Sequence, residues 1–170
     1  APTWGEARRM AEVCQQRGVQ LTFNHQRRFG KPFRKAKELL DAGAIGELVR
    51  LEAFTSNLYD WGTHWFDMLF MYNDEQPVDW VMGQIDARGG RSIFGVLVEA
   101  QGISFWKWRN GVLGLMITGQ KIVQPDEGQK PRETLCGNRL VGTEGVIEVG
   151  VPQGAQLRIR HAGSGWERCE

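Results

Sequence analysis

Three side chains able to move protons stand in one short stretch, "NLYDWGTHWFDMLFMYN", Asn57 to Asn73: Asp60, His64 and Asp67. On a helix the spacings i, i+4 and i+7 put them on one face. Histidine changes charge near neutral pH and serves as a general acid or base, and flanking carboxylates can hold its ring and set its pKa. A helix N-terminus adds partial positive charge, which favours a developing oxyanion such as an alkoxide. The plain alternative is structural. Asp60 is then the N-cap, because Asp is a leading N-cap residue; His64 sits in the first turn, and Asp67 is a satisfied polar group. A carboxylate–His–carboxylate metal site, as in a metal-dependent hydrolase, is a third reading with no fourth ligand in view.

The elements that must position these residues follow from periodicity. Thr3 reads as an N-cap with Glu6 as its capping-box partner, and Ala7, Met10, Ala11 and Cys14 form an apolar stripe, so a helix is expected over 3–17, stopped by Gly18. "VQLTFN" (19–24) alternates and reads as a strand, which would make this opening half of an α/β layer. A second helix is expected over 32–42, with Pro32 in its first turn and Gly43 as its stop, then a strand over 47–57 and the Asp–His–Asp helix over 61–73. Beyond Pro77 the period becomes 2, with strands near 79–87, 93–100, 102–109 and 112–118. Asn110-Gly111 is a hairpin turn. A polar loop over 124–133, a strand–turn–strand over 139–150 and a strand over 156–161 complete the chain. Helices followed by hairpin-linked strands imply an α+β fold, a large mostly antiparallel open sheet with helices on one face. The other face then needs cover, and Trp106 and Trp108, on one side of their strand, suggest a second subunit. The same two rings also fit a sugar-stacking platform or a face buried within the fold.

The chain has 170 residues, enough for one domain with an appendage and a sizeable core. Its net charge of +1 offers no bulk attraction for nucleic acid. Arg27, Arg28, Lys31, Arg34, Lys35 and Lys37 form a basic run that reads as a solvated helix face, with a phosphate site as the sharper alternative. The three cysteines are far apart and form no CxxC, which fits reduced thiols and a cytoplasmic setting, although a signal peptide upstream is compatible with this chain. No apolar run reaches the length of a membrane span. Trp61 and Trp65 share a helix face and read as core, with Trp61 near enough to the helix start to line a pocket; Tyr59 reads as a pocket wall or a buried hydroxyl.

"DWGTHWFDML" resembles the D-x-G-x-H-x-x-D helix of the glucose–fructose oxidoreductase / inositol dehydrogenase (Gfo/Idh/MocA) family of NAD(P)-dependent sugar oxidoreductases. "GVQLTFNHQRRFGKPFRKAKELLDAGAIGEL" is similar to the family's strand, Arg-Arg-aromatic turn, helix and G-x-I-G element, and "LVGTEGVIEV" to its late G-T-x-G turn. The resemblance implies a C-terminal α+β domain that supplies the substrate pocket and the oligomer interface, a dimer or tetramer through the sheet face. Residues 1–25 would then be the remnant of an NAD(P)-binding Rossmann domain, and 26–170 the substrate domain. It implies His64 and Asp60 as catalytic residues, with Asp67, Arg27, Gln26, Trp61 and Tyr59 facing a sugar or polyol. The chain departs from the family in having no G-x-G-x-x-G after a strand and no E-K-P lysine. NAD or NADP is thus expected in the full-length protein and not on this chain, which is expected to be inactive alone. A non-catalytic binding or assembly module of the same fold is the alternative.

Overall fold

A computed structural model describes residues 3–119, 136–151 and 156–169. Helix α1 (Trp4–Gln16) starts where the capping box requires, with the Thr3 side chain accepting from Glu6 N and the Glu6 side chain accepting from Thr3 N. Helix α2 (Lys31–Asp41) carries its proline in the first turn and ends before Gly43, whose φ of +74° suits the left-handed stop. Strand β1 (Leu48–Thr55) leads into a π turn (Leu58–Gly62) and then helix α3 (Thr63–Tyr72).

The remaining strands are β2 (Val78–Asp86), β3 (Arg91–Ile93), β4 (Val96–Val98), β5 (Gln101–Trp108), β6 (Leu113–Gly119), β7 (Cys136–Gly142), β8 (Gly145–Val151), β9 (Gln156–His161) and β10 (Glu167–Cys169). Eight of them form one sheet in the order β10-β9-β8-β7-β1-β6-β5-β2; β1 and β6 run parallel and every other pair is antiparallel. The fold is therefore α+β with a large open sheet, as expected. No helix among the described residues is long and apolar enough to cross a membrane.

Three features of the chain differ from what its sequence predicts. Residues 19–24 are not a strand: Val19, Leu21 and Phe23 are exposed and no sheet neighbour stands beside them among the described residues. Alternation marks a segment suited to a sheet, but a strand needs a partner for its N–H and C=O groups. Residues 93–100 are not one strand but part of the small hairpin β3–β4, broken at Phe94 and Gly95, both at positive φ. Trp106 and Trp108 do not cover a free face or offer a sugar platform. Both are buried under α3, Trp106 against Phe66 at 5.4 Å and Trp108 against Phe70 at 5.8 Å between ring centroids. Of the alternatives for this pair, burial within the fold is the one that stands. The expected loop over 124–133 lies outside the described residues.

α3 is apolar on most of its circumference because it lies across the sheet. Trp65, Met68, Leu69 and Tyr72 are buried in the core with Leu51, Ala53 and Met116. Gly114 lies beneath Trp106, where a Cβ would be driven into the indole. The opposite sheet face carries Trp80, Met82 and Ile103, all exposed, and farther along a ladder in which Arg139 bridges Glu52 and Glu148, and Arg158 pairs with Glu148.

Candidate functional site

The turn before α3 sets the site. Asn57, not Asp60, is the cap. Its Oδ1 accepts from Asp60 N at 2.8 Å and Trp61 N at 3.2 Å. Glu99, in the link between β4 and β5, takes the preceding amide: its Oε1 accepts from Leu58 N at 2.6 Å and from the Thr118 hydroxyl at 2.7 Å. Gly62 N closes the wide turn on the Asn57 carbonyl at 2.8 Å, and a Cβ on Gly62 would lie 2.9 Å from that oxygen. The glycine between Asp60 and His64 is therefore a steric requirement of the π turn, an irregularity common at functional sites.

His64 emerges one residue into α3, half-buried, with Nδ1 sealed from solvent and without a partner. Among the described residues no carboxylate hydrogen-bonds its ring. Burial comes first in holding its pKa below the ordinary 6.5, followed by the charges of His25 and Arg27; Asp60 and then Asp67 oppose the shift. His64 is thus a neutral imidazole near pH 7, with Nε2 as the nitrogen a substrate can reach.

Asp67 faces the same region but is held elsewhere. Arg28 grips it with Nε at 2.8 Å and a terminal nitrogen at 2.6 Å, and also reaches Glu75 at 3.1 Å. His25 places Nδ1 3.3 Å from Asp67, and its ring meets His64 edge-on at 5.2 Å between centroids. Arg27 lies between Trp61 and Trp65, 4.9 Å from each ring centroid. Gln26 and Tyr59 are exposed on the rim, which removes the buried-hydroxyl reading of Tyr59, and Trp61 is part exposed beside them.

The structure thus brings Asp60, His64, Asp67, Arg27 and Trp61 to one region. It adds His25, Arg28, Asn57 and Glu99, which sequence reasoning missed. Asn57 had a signal, an Asn three residues before Asp60; the other three act through partners distant in the chain. Of the basic run, Arg28, Lys35 and Lys37 are ion-paired within the chain. No group of three His, Cys, Asp or Glu side chains able to hold a metal occurs among the described residues.

No family model matches the chain. An uncharacterized oxidoreductase of Schizosaccharomyces pombe is 36% identical over 52 residues, covering 31% of this chain and 14% of that protein. Among solved structures, an oxidoreductase from Pseudomonas syringae matches 98% of this chain and 46% of its own, with TM-score 0.75 and 15% identity. An inositol dehydrogenase homolog from Azotobacter vinelandii, complexed with NADH and myo-inositol, matches 99% and 47% with TM-score 0.71 and 15% identity. The WlbA dehydrogenase from Bordetella pertussis, in complex with NADH and UDP-GlcNAcA, matches 100% and 53% with TM-score 0.69 and 16% identity. The fold is that of oxidoreductases of the inositol dehydrogenase type. The chain spans about half the length of these structures.

The glycine clusters of this oxidoreductase fold do not form a dinucleotide cradle. Gly89 and Gly90 lead from β2 into a hairpin, not a helix. Gly142 and Gly145 carry the β7–β8 turn, where a Cβ would strike the carbonyls of Ile45 and Arg160. Neither cluster has the strand–glycine–helix setting of a dinucleotide fingerprint.

Proposed function

We propose that this chain is the substrate-side part of an NAD(P)-dependent oxidoreductase that interconverts a hydroxyl and a carbonyl on a sugar or polyol. Residues 1–25 belong to the end of the dinucleotide-binding domain and 26–170 form the substrate domain. The observation that carries the reading is the place of His64: a half-buried imidazole, its pKa held below the ordinary value, at the start of a helix, with Asp60 and Asp67 on either side in the chain and beside a stacked arginine. Such a group accepts the proton of a substrate hydroxyl at Nε2 as the carbonyl forms and returns it in the reverse direction. Asp60 stabilises the imidazolium formed in that step and orients the hydroxyl. Asp67, fixed by Arg28, lies too far into its ion pair to act as the base; it sets the place of His25 and offers its remaining lone pairs to a second hydroxyl. Trp61, Tyr59 and Gln26 form the rim. The dinucleotide is held outside this chain's residues, so the chain by itself is inactive.

The exposed apolar residues of α1 and of 19–24, including Met10, Val13, Val19 and Phe23, support packing against further strands of such a domain. Trp80, Met82 and Ile103 on the free sheet face support a homo-oligomer through that face. The test is turnover of polyols and sugars by the full-length protein with NAD+ or NADP+, followed by reduced-nicotinamide absorbance. His64→Ala lowers kcat by about 10²–10⁴. Turnover unchanged in that variant removes His64 from the chemistry, and cofactor binding that is absent altogether favours a binding or assembly module.

A further inference from the structure

We propose that the substrate of this site carries a carboxylate, and that Arg27 binds it. The inference rests on the oxidoreductase reading for the place of the reaction, and on the unpartnered guanidinium of Arg27 for the substrate. Arg27 and Arg28 are neighbours in sequence with opposite surroundings. Arg28 has two carboxylate partners within the chain, Asp67 and Glu75. Arg27 has no hydrogen bond or ion pair among the described residues. Its guanidinium is held between the rings of Trp61 and Trp65 and its Nε is sealed from solvent without an acceptor.

Stacking between two indoles fixes the plane of the guanidinium but supplies no acceptor for its N–H groups. With Nε closed off, the terminal nitrogens are the donors left for a ligand, and their fork matches the two oxygens of a carboxylate. Trp65 is fully buried beneath, while Trp61 is 39% exposed and forms the outer wall, so the clamp opens at the rim of the site and not into the core. The charge also lies close enough to His64 to disfavour its imidazolium. The other groups facing that imidazole are His25, Asp60 and Asp67. Asp67 and Glu75 share Arg28, and no ion pair joins Asp60 to Arg27 among the described residues. Arg27 therefore keeps its charge beside the base with no acceptor for its donors, a place for an anion that a neutral polyol would leave unpaired.

The test uses matched probes on the full-length protein: D-glucuronate against D-glucose, and D-galacturonate against D-galactose, by calorimetry and by reduced-nicotinamide absorbance. The expected result is that each acid is preferred over its neutral partner by at least about tenfold. Arg27→Gln brings the ratio to about one, and Arg27→Lys, which keeps the charge and loses the fork, gives an intermediate ratio. Near-ultraviolet circular dichroism of the tryptophans checks that both variants stay folded. Equal use of acids and neutral sugars, or equal losses on both in Arg27→Gln, overturns the inference. His64-dependent turnover of neutral sugars without acid preference sinks it and leaves the oxidoreductase reading standing. Arg27-dependent acid binding without any hydride transfer does the reverse.

Discussion

Replacing Asn57 by Ala should loosen the turn that carries Asp60 and His64 before it disturbs anything else. Asn57 is 1% exposed, and its Oδ1 serves two amides, those of Asp60 at 2.8 Å and Trp61 at 3.2 Å. Losing a side-chain N-cap costs about 1–2 kcal/mol, and a second amide left without a partner adds roughly 1 kcal/mol. The Leu58 amide remains held by Glu99, so the turn is weakened and not abolished. The expected loss is about 2–3 kcal/mol, which in a domain of this size lowers Tm by about 4–10 °C. Because the freed residues are those beside the base, kcat/KM should fall as well, by up to about 10² if the displacement approaches 1 Å. Urea denaturation with the linear extrapolation measures the first effect and steady-state kinetics the second. Asn57→Ser separates the cap from the filled volume, since Ser has little more bulk than Ala yet keeps an acceptor; it should recover more than half of the lost stability. Equal losses in the Ala and Ser variants would show that capping is not what holds this turn, and losses under about 0.5 kcal/mol in both would refute the reasoning outright.

Three further outcomes are expected. Gly114→Ala forces the buried Trp106 off its place and should destabilise by about 1–3 kcal/mol, with Trp106→Phe relieving part of that cost so that the double variant is less impaired than the sum of the two; additivity in a denaturation cycle would deny the clash. The acid limb of kcat/KM should lie below pH 6.5, because the folded protein prefers neutral His64 and the unfolded chain binds its proton first; the corresponding stability is present above 6.5 and is lost as pH falls through the folded value. Asp60→Asn, which removes a charge that favours the imidazolium, should move that limb further down, and Arg27→Gln should move it up, both read from pH–rate profiles. Met82→Lys with Ile103→Asp should convert an oligomer into monomers by sedimentation, since both side chains are exposed on the free sheet face; a monomeric parent protein would remove that proposal.

Local signals are readable where the physics is local. The capping box at Thr3 and Glu6, the proline and glycine that bracket α2, and the Asn110-Gly111 turn each follow from a few neighbouring residues. Signals that depend on a distant partner are not. Residues 19–24 alternate like a strand, yet pairing is a property of the neighbour and not of the segment. Asp60 and Asn57 are equally good caps by residue type, and periodicity gives no sign of the π turn that decides for Asn57. Glu99, a charged residue in the link between β4 and β5, is legible only once Leu58 and Thr118 are beside it. The aromatic pair Trp106 and Trp108 shows the same limit: shared sidedness follows from the period of 2, but which side receives α3 is a matter of topology.

The contrast between Arg27 and Arg28 shows how one short turn divides a basic pair into two kinds of charge. Gln26 to Phe29 form a 3₁₀ turn, in which successive side chains diverge by about 120°. One step therefore sends Arg28 onto Asp67 and Glu75, where it closes a charge pair and ties the turn to α3 across 39 residues of chain. The other sends Arg27 between two tryptophans, where it is fixed in place without being neutralised. Had both arginines found carboxylates, the region would be a structural ion-pair network with no donor left for a ligand. Had neither, the helix would lack its tether to the turn. A cation fixed between two rings, with its Nε closed to solvent and no carboxylate partner, leaves its terminal donors for a ligand, and that is the physical reason to look for an anion in the substrate and not in the protein.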